Sequence, residues 1–281
     1  MKSKYPFKTK VVWITGASSG IGEALCYEFA KNGALLILSA RNQEKLKVVQ
    51  EKLPQDSDKS QVLAFDLEEI DDLKDKVQLA LSLFGRIDYF ISNAGIAIKD
   101  FALSTPLAID QKLMKINYFS SIAITKFLLP HFMERNSGHL VVTSSLSGKY
   151  GVPKIAAYAA SKHALHGFYE TLRSEIANYD IDLTIIIPGI IKTEITAHAL
   201  TGTGEKFGKV DKTFQNANHP YRAAQKIISA VLNKKESVLV GGSEGITLIL
   251  NRISPWLLRR FIRNHPIKKM RKLKRSLGLI E

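Results

Sequence analysis

Val11-Val12-Trp13-Ile14-Thr15-Gly16-Ala17-Ser18-Ser19-Gly20-Ile21-Gly22 is the stretch that decides the fold. Its first five residues are β-branched or aromatic and read as a strand. A glycine-rich turn follows, and a helical apolar pattern then runs from Gly20 to Lys31. Asn32-Gly33 ends that helix, as glycine past a last turn commonly does. Glycines let the turn close tightly and let backbone approach a ligand, while the helix N-terminus presents free N–H groups to an anion. A glycine-rich turn alone is a weak signal. Between the first strand and first helix of a βαβ unit it points to a dinucleotide pyrophosphate, contacted by Gly16, Ser18, Ser19, Gly20, Ile21 and Gly22.

Working outward, short β-branched runs alternate with longer helical ones. Leu35 to Ser39 is expected as strand two, Val62 to Phe65 as strand three, Ile87 to Ile91 as strand four, and His139 to Thr143 as strand five. Ile181 to Ile187 and Val238 to Val240 complete the set. Between them lie helical patterns over Gln43–Lys52, Leu67–Leu83, Ala108–Leu129 (closed by Pro130), Ala156–Ala177 and Tyr221–Leu232. This order predicts an α/β fold, a Rossmann-type doubly wound parallel sheet with helices on both faces. No repeat or low-complexity linker interrupts it. The expected organisation is a catalytic domain over residues 1–250 and a basic helical extension over 251–281.

Strand two ends Leu38-Ser39-Ala40-Arg41-Asn42. NAD sites usually place an acid near this point, on the ribose 2′-hydroxyl. Arg41 suits a 2′-phosphate by charge and by its planar donor fork, so NADP(H) is the expected cofactor. The competing reading is a solvated residue at a strand end.

Tyr158 and Lys162 lie four apart and share a helix face, with Ser145 thirteen residues before the tyrosine. A free phenol titrates near ~10, and a cation beside it favours the phenolate. A serine hydroxyl from a neighbouring strand end could hold a substrate oxygen. The three make a proton-transfer site for a carbonyl/alcohol pair. Tyr-x3-Lys by itself also arises on solvated helices, so its meaning depends on the rest of the chain.

With these residues in view, the chain resembles the short-chain dehydrogenase/reductase family over roughly Lys10 to Val240. The motifs are ordered: the Thr15–Gly22 turn, Asp66-Leu67, Asn93-Ala94-Gly95, Asn117, Ser145, Tyr158-x3-Lys162 and Pro188-Gly189. The resemblance implies that Tyr158 is the general acid/base. Lys162 would lower its pKa and bind the nicotinamide ribose, Ser145 would bond the substrate carbonyl, and Asn117 would hold a proton-relaying water. It implies that Asp66 and Leu67 contact the adenine end, Asn93 the adenine-side ribose, and Thr193 the carboxamide or phosphates. Ala94, Gly95, Pro188, Gly189 and Ile191 join the cofactor contacts. Ser92 departs from the family pattern, where many members carry asparagine. The run from Ser144 to Tyr158 is similar to the branch acting on steroids, retinoids and other lipid-like carbonyls. A homodimer or homotetramer through the long helices is also implied.

The 281 residues suit one α/β domain, and 45% hydrophobic with 23% charged residues is ordinary for a soluble globular protein. The single Cys26 precludes an internal disulfide and reads as buried filler. His131, His139, His163 and His166 lack a zinc-ligand spacing, so no metal is expected, and His163 and His166 read as surface or interface residues. Ile190 to His219 reads as a substrate lid, and Lys192, Ile195, Leu200 and Phe207 within it point to a hydrophobic substrate. No apolar run is long enough for a signal core or membrane span, so a cytoplasmic location is expected.

The formal charge is +14, and Arg252 to Glu281 alone carries +9 of it. That tail therefore needs its own explanation. Trp256, Leu257, Phe261 and Leu258 are expected on one helical face beside arginines, and Lys268 to Arg275 adds a basic cluster. Peripheral contact with an anionic membrane and contact with a second subunit are the favoured readings; nucleic acid is disfavoured. The expected function is an NADP(H)-dependent oxidoreductase acting on a small hydrophobic carbonyl/alcohol. The alternative is an NADPH sensor without turnover, which would have no need of Asn117, Ser145, Tyr158 and Lys162 together.

Overall fold

The computed structural model describes residues 5–54, 59–195, 197–208 and 217–264. The chain divides into compact units, one spanning Met1–Gly242 and a second beginning at Ser243.

In the first unit seven parallel strands are ordered β3-β2-β1-β4-β5-β6-β7. They are β1 Val11–Thr15, β2 Leu35–Ser39, β3 Ser60–Val62, β4 Tyr89–Ser92, β5 Gly138–Thr143, β6 Ile181–Pro188 and β7 Ser237–Val240. The helices between them are α1 Gly20–Lys31, α2 Gln43–Glu51, α3 Leu73–Phe84, α4 Leu107–Met114, α5 Ser120–Glu134, α6 Ala156–Glu175 and α7 Pro220–Leu232. The central strands β1, β2 and β4 are largely apolar because both sheet faces are covered there. Val12, Ile14, Leu36, Leu38, Ile91, Val141 and Ile186 face one core with Leu25, Phe29, Leu46, Ile227 and Val231 of α1, α2 and α7. Alternate residues such as Trp13, Ile37, Phe90 and Leu140 are also buried, as the period of two requires. Cys26 is buried in the first core, where desolvation pushes its thiol pKa up.

Several boundaries differ from the expected ones: strand four runs Tyr89–Ser92, the expected Ala108–Leu129 helix is split between α4 and α5, and three further shifts have a local cause. β3 starts at Ser60, because Leu36 and Leu38 pair with Ser60 and Val62. The expected tail still bonds to β2, through Leu63 N–H to Leu38 O and Phe65 N–H to Ala40 O. The next helix begins at Leu73 rather than Leu67. Asp66 Oδ1 accepts the Glu68 N–H at 3.0 Å and closes a side-chain turn that diverts the chain first. Finally, Pro130 lies inside α5 instead of ending it. Pro130 and Lys126, whose carbonyl loses its helical partner, are both on the exposed side, where water replaces the missing bond.

β1 and β4 are neighbours, yet their chains leave in opposite lateral directions through the sheet order. The crevice at their carboxyl ends is the topological switch point, where ligands bind in open α/β sheets. The Thr15–Gly22 turn follows β1 and Asn93-Ala94-Gly95 follows β4 at this crevice.

The second unit contains α8 Ile246–Ile253 and α9 Pro255–Asn264, which pack together. Leu257 and Phe261 are exposed and Leu258 is buried. Trp256 does not share their face: Arg260 lies over its ring, 5.6 Å from the centroid. At about 100° per residue, Trp256 falls between Arg260 and Arg263 on the helix. The Lys268–Arg275 cluster lies outside the described residues.

Candidate active site

The glycine turn is built for close approach. Gly16 has φ +69°, and a Cβ there would sit 2.8 Å from Ala94 Cα. A Cβ on Gly22 would strike the Gly16 carbonyl and the Asn93 amide. The turn is therefore pressed against the Asn93-Ala94-Gly95 segment. Thr15 Oγ1 locks the two together, donating to Ile91 O and accepting from Asn93 N and Ala94 N. Asn93 ties three strands: its Nδ2 donates to Thr15 O at 3.2 Å and its Oδ1 accepts from Thr143 Oγ1. Thr193, from the segment after β6, approaches the same turn. A Cβ on Gly20 would lie 3.1 Å from its Cγ2.

At the end of β2, Arg41 is exposed and its Nη1 lies 3.8 Å from Asp66 Oδ2. The structure thus brings together the two residues expected near the adenine end. Pro188 closes β6, and the Gly189 N–H donates to Val240 O at 2.7 Å. Ile191 is buried with Ala17 in the core under the turn.

Asn117 lies in a π-helical turn, Lys115–Phe119, between α4 and α5. π-turns recur at functional sites because the widened turn re-aims a side chain. Here the Asn117 amide is fully engaged: Oδ1 accepts from Ile96 N at 2.8 Å, and Nδ2 donates to Ile96 O and Ser161 Oγ. It pins the segment after β4 to α6, the helix carrying Tyr158 and Lys162. Ser92, the family departure, bonds Ser121 Oγ at 2.6 Å and is buried between β4 and α5.

Lys162 is 3% exposed, and its Nζ donates to Thr143 O at 2.8 Å. That ammonium is 5.8 Å from the centroid of the Tyr158 ring. Burial lowers its pKa from 10.5 to about 8. Burial raises the Tyr158 pKa, and a hydrogen bond with Ser145 pulls it back. The phenol therefore keeps its proton at neutral pH and can serve as an acid. Ser144 points elsewhere, donating to Lys162 O from a buried position. Ser145, of the two, faces the tyrosine. His163 is exposed, but His166 is buried rather than on the surface. It sits one turn beyond Lys162 in contact with Glu170, and burial and Lys149 lower its pKa to about 4.

One wall of the site is apolar. Ile98, Leu113 and Ala157 form a buried cluster against which Ile96, Ile109, Tyr158 and Leu200 pack. Leu200 belongs to the segment expected as a lid, and the backbone fixes it there: Lys99 N–H donates to Leu200 O and Leu200 N–H to Ala97 O. Asp100 adds a second clasp, accepting from Gly202 N at 2.9 Å. Thr196 and residues 209–216 of that segment are outside the described residues.

Sequence reading had not singled out Thr143, Ser161, Asp100 or the isoleucine wall. Thr143 could have been found as the residue ending β5 beside Ser144-Ser145. The others act through tertiary partners. Among the described residues, no group of three His, Cys, Asp or Glu converges to hold a metal.

A family pattern described as short chain dehydrogenase matches residues 10–204. The chain belongs to the short-chain dehydrogenase/reductase family of oxidoreductases. Among its relatives, a Drosophila melanogaster "Dehydrogenase/reductase SDR family protein 7-like" is 39% identical over 253 residues, 88% of this chain and 78% of the relative. A Xenopus tropicalis "Dehydrogenase/reductase SDR family member 7B" is 36% identical over 273 residues, 95% of this chain and 88% of the relative. Among solved structures, a short-chain dehydrogenase from Streptomyces avermitilis superposes with TM-score 0.77 at 26% identity, covering 95% of this chain and 97% of that one. A Burkholderia phymatum short-chain dehydrogenase/reductase in complex with NAD shares the fold, with TM-score 0.78 at 19% identity over 89% of this chain and 95% of that one.

Proposed function

We propose that this protein is an NADP(H)-dependent oxidoreductase that interconverts the carbonyl and alcohol of a small hydrophobic substrate. The observation that carries the reading is convergence: Ser145, Tyr158 and buried Lys162 meet beside a glycine turn and an apolar wall. The site fits a dinucleotide. The turn leaves no room for a Cβ at Gly16 or Gly22, and the 12-residue α1 presents its N-terminus there. Exposed Arg41 suits a 2′-phosphate. The bound nicotinamide would supply the hydride.

The chain's own residues handle the proton and the orientation. In reduction, Tyr158 donates its proton to the developing alkoxide, and Ser145 holds the same oxygen by a hydrogen bond. Lys162, charged below about pH 8, favours the phenolate left behind. Thr143 O fixes the lysine, and Asn117 fixes Ile96 against α6. With its side-chain amide engaged, Asn117 could hold a relay water only through the backbone of its π-turn. Ile96 and Leu200, packed on buried Ile98, would exclude water and accept an apolar substrate body. Exposed Phe119, just before α5, and Phe127 within it support assembly through the long helices. Peripheral contact of the C-terminal unit with a membrane would suit a lipid-like substrate.

The test is NADPH oxidation against a panel of apolar ketones and aldehydes, with Tyr158→Phe as control. Turnover with the wild type and its loss in the variant, NADPH binding retained, is the expected result. Equal turnover by the variant overturns the assignment. NADPH binding without turnover on any substrate would favour a sensor.

A further inference from the structure

α8 is inside out. Its isoleucines 246, 249 and 253 recur at i, i+3 and i+7, the spacing of a face that ordinarily packs inward. Here that face is outward: Ile246 is 68% and Ile253 78% exposed, while polar Thr247 and Asn251 are half-buried. α9 follows after Ser254 and exposes Leu257 and Phe261. The two helices present five large apolar side chains outward, a density that single scattered surface residues do not reach. Arg252, Arg259, Arg260 and Arg263 accompany them, all exposed. From Ile246 to Asn264 there is no Asp or Glu.

We infer that the exposed face of α8 and α9 docks on an anionic lipid bilayer. The charge decides the occupant. A second copy of this face would set arginines against arginines with no carboxylate to pair them, whereas a bilayer bearing anionic headgroups neutralises them and accepts the isoleucines. Trp256 beneath Arg260 is an amphipathic group suited to the headgroup level. The helices lie on the membrane and do not cross it. They have 8 and 10 residues, and no helix among the described residues is long and apolar enough to span. The sequence beyond adds Lys268, Lys269, Arg271, Lys272, Lys274 and Arg275, which strengthens the same attraction.

This rests on the peripheral-membrane part of the reading above and not on its catalytic part. The experiment is flotation of the full chain with phosphatidylcholine vesicles and with phosphatidylcholine–phosphatidylserine vesicles, without nucleotide or substrate. Wild type and Tyr158→Phe should both float with the serine-lipid vesicles and be released by salt. An Ile249→Glu/Ile253→Glu variant should lose recovery on the order of tenfold while its thermal unfolding is unchanged, since both sites are exposed. Arg259→Glu/Arg260→Glu should lose recovery on serine-lipid vesicles to the level seen on neutral ones. Equal flotation of the folded isoleucine variant and wild type overturns the inference. So does equal flotation of wild type on both vesicle types. A halved oligomer mass in the isoleucine variant, with flotation unaltered, would assign the face to a second copy instead.

Discussion

The two ends of the central sheet each bury a charge, and they treat it oppositely. At the amino end, Asp88 is 6% exposed and fully partnered. It accepts from Val11 N at 2.8 Å, from Arg135 Nη2 at 2.9 Å and from Arg86 Nε at 3.0 Å. Burial pushes its pKa up, but those donors outweigh it and hold the carboxyl below its ordinary value. At the carboxyl end, Lys162 is equally buried, with a backbone carbonyl as its partner and burial as the cause of its lowered pKa. One charge is paired and ties the start of β1 to Arg86 ahead of β4 and to Arg135 after α5. The other is kept costly, and a costly buried charge is what a catalytic site requires. The contrast separates structure from chemistry within one fold.

The largest effect expected on that comparison is at Tyr158. Tyr158→Phe removes the proton donor and should lower kcat by about a thousandfold with stability little changed. A double dissociation follows at the two charges. Asp88→Ala leaves two guanidinium groups and the Val11 N–H short of an acceptor. It should cost about 3 kcal/mol in urea unfolding while folded enzyme keeps its kcat/KM. Lys162→Met removes the buried ammonium and loses one hydrogen bond. It should abolish most turnover and leave stability equal or raised, by up to about 2 kcal/mol. A destabilised Lys162→Met protein would mean that the lysine is structural, and the contrast would fail.

Titration sharpens the same difference. The folded Asp88 pKa is below its unfolded value, so its contribution is present at neutral pH and is lost as pH falls through the folded pKa. The Lys162 pKa is also depressed, to about 8 from 10.5, so the unfolded chain holds more protons between those values. Stability from this group therefore rises with pH across that window, while kcat/KM falls as the ammonium is lost above about 8. Opposite slopes of stability and activity above pH 8 are the expected result. Parallel loss of both would show that Lys162 charge is not what limits turnover. His139 and His166, each lowered to about 4 chiefly by burial, add acid lability between the ordinary histidine value of 6.5 and pH 4.

Much of this was legible in the sequence because residue type alone encodes it. The β-branched runs alternating with helical patterns gave the parallel sheet, and the glycine turn and Tyr158-x3-Lys162 marked its carboxyl end. What was not legible depends on partners distant in the chain. The start of β3 is set by register with Leu36 and Leu38, not by its own composition. The π-turn at Asn117 aims an amide that bonds Ile96 and Ser161, residues 21 and 44 positions away. Pro130 is tolerated because the side of α5 it occupies faces water, which no local pattern states. α8 was not read from the sequence, and its exposed isoleucines are visible only in three dimensions.

The smallest effect belongs to Arg41, where the switch-point crevice meets solvent. Its side chain is 62% exposed and its ion pair with Asp66 is long, so the pair itself contributes about 0–1 kcal/mol. The guanidinium is thus free to turn from Asp66 to a 2′-phosphate, and the cost of breaking the pair is small. Arg41→Asp should lower the NADPH-to-NADH ratio of kcat/KM on the order of tenfold, because it exchanges an attractive charge for a repulsive one. Asp66→Asn should act the other way, raising that ratio about two- to threefold by releasing the arginine. Stability should be unmoved by either change. A ratio unaltered in Arg41→Asp would remove the arginine from the cofactor site and leave it a solvated end of β2.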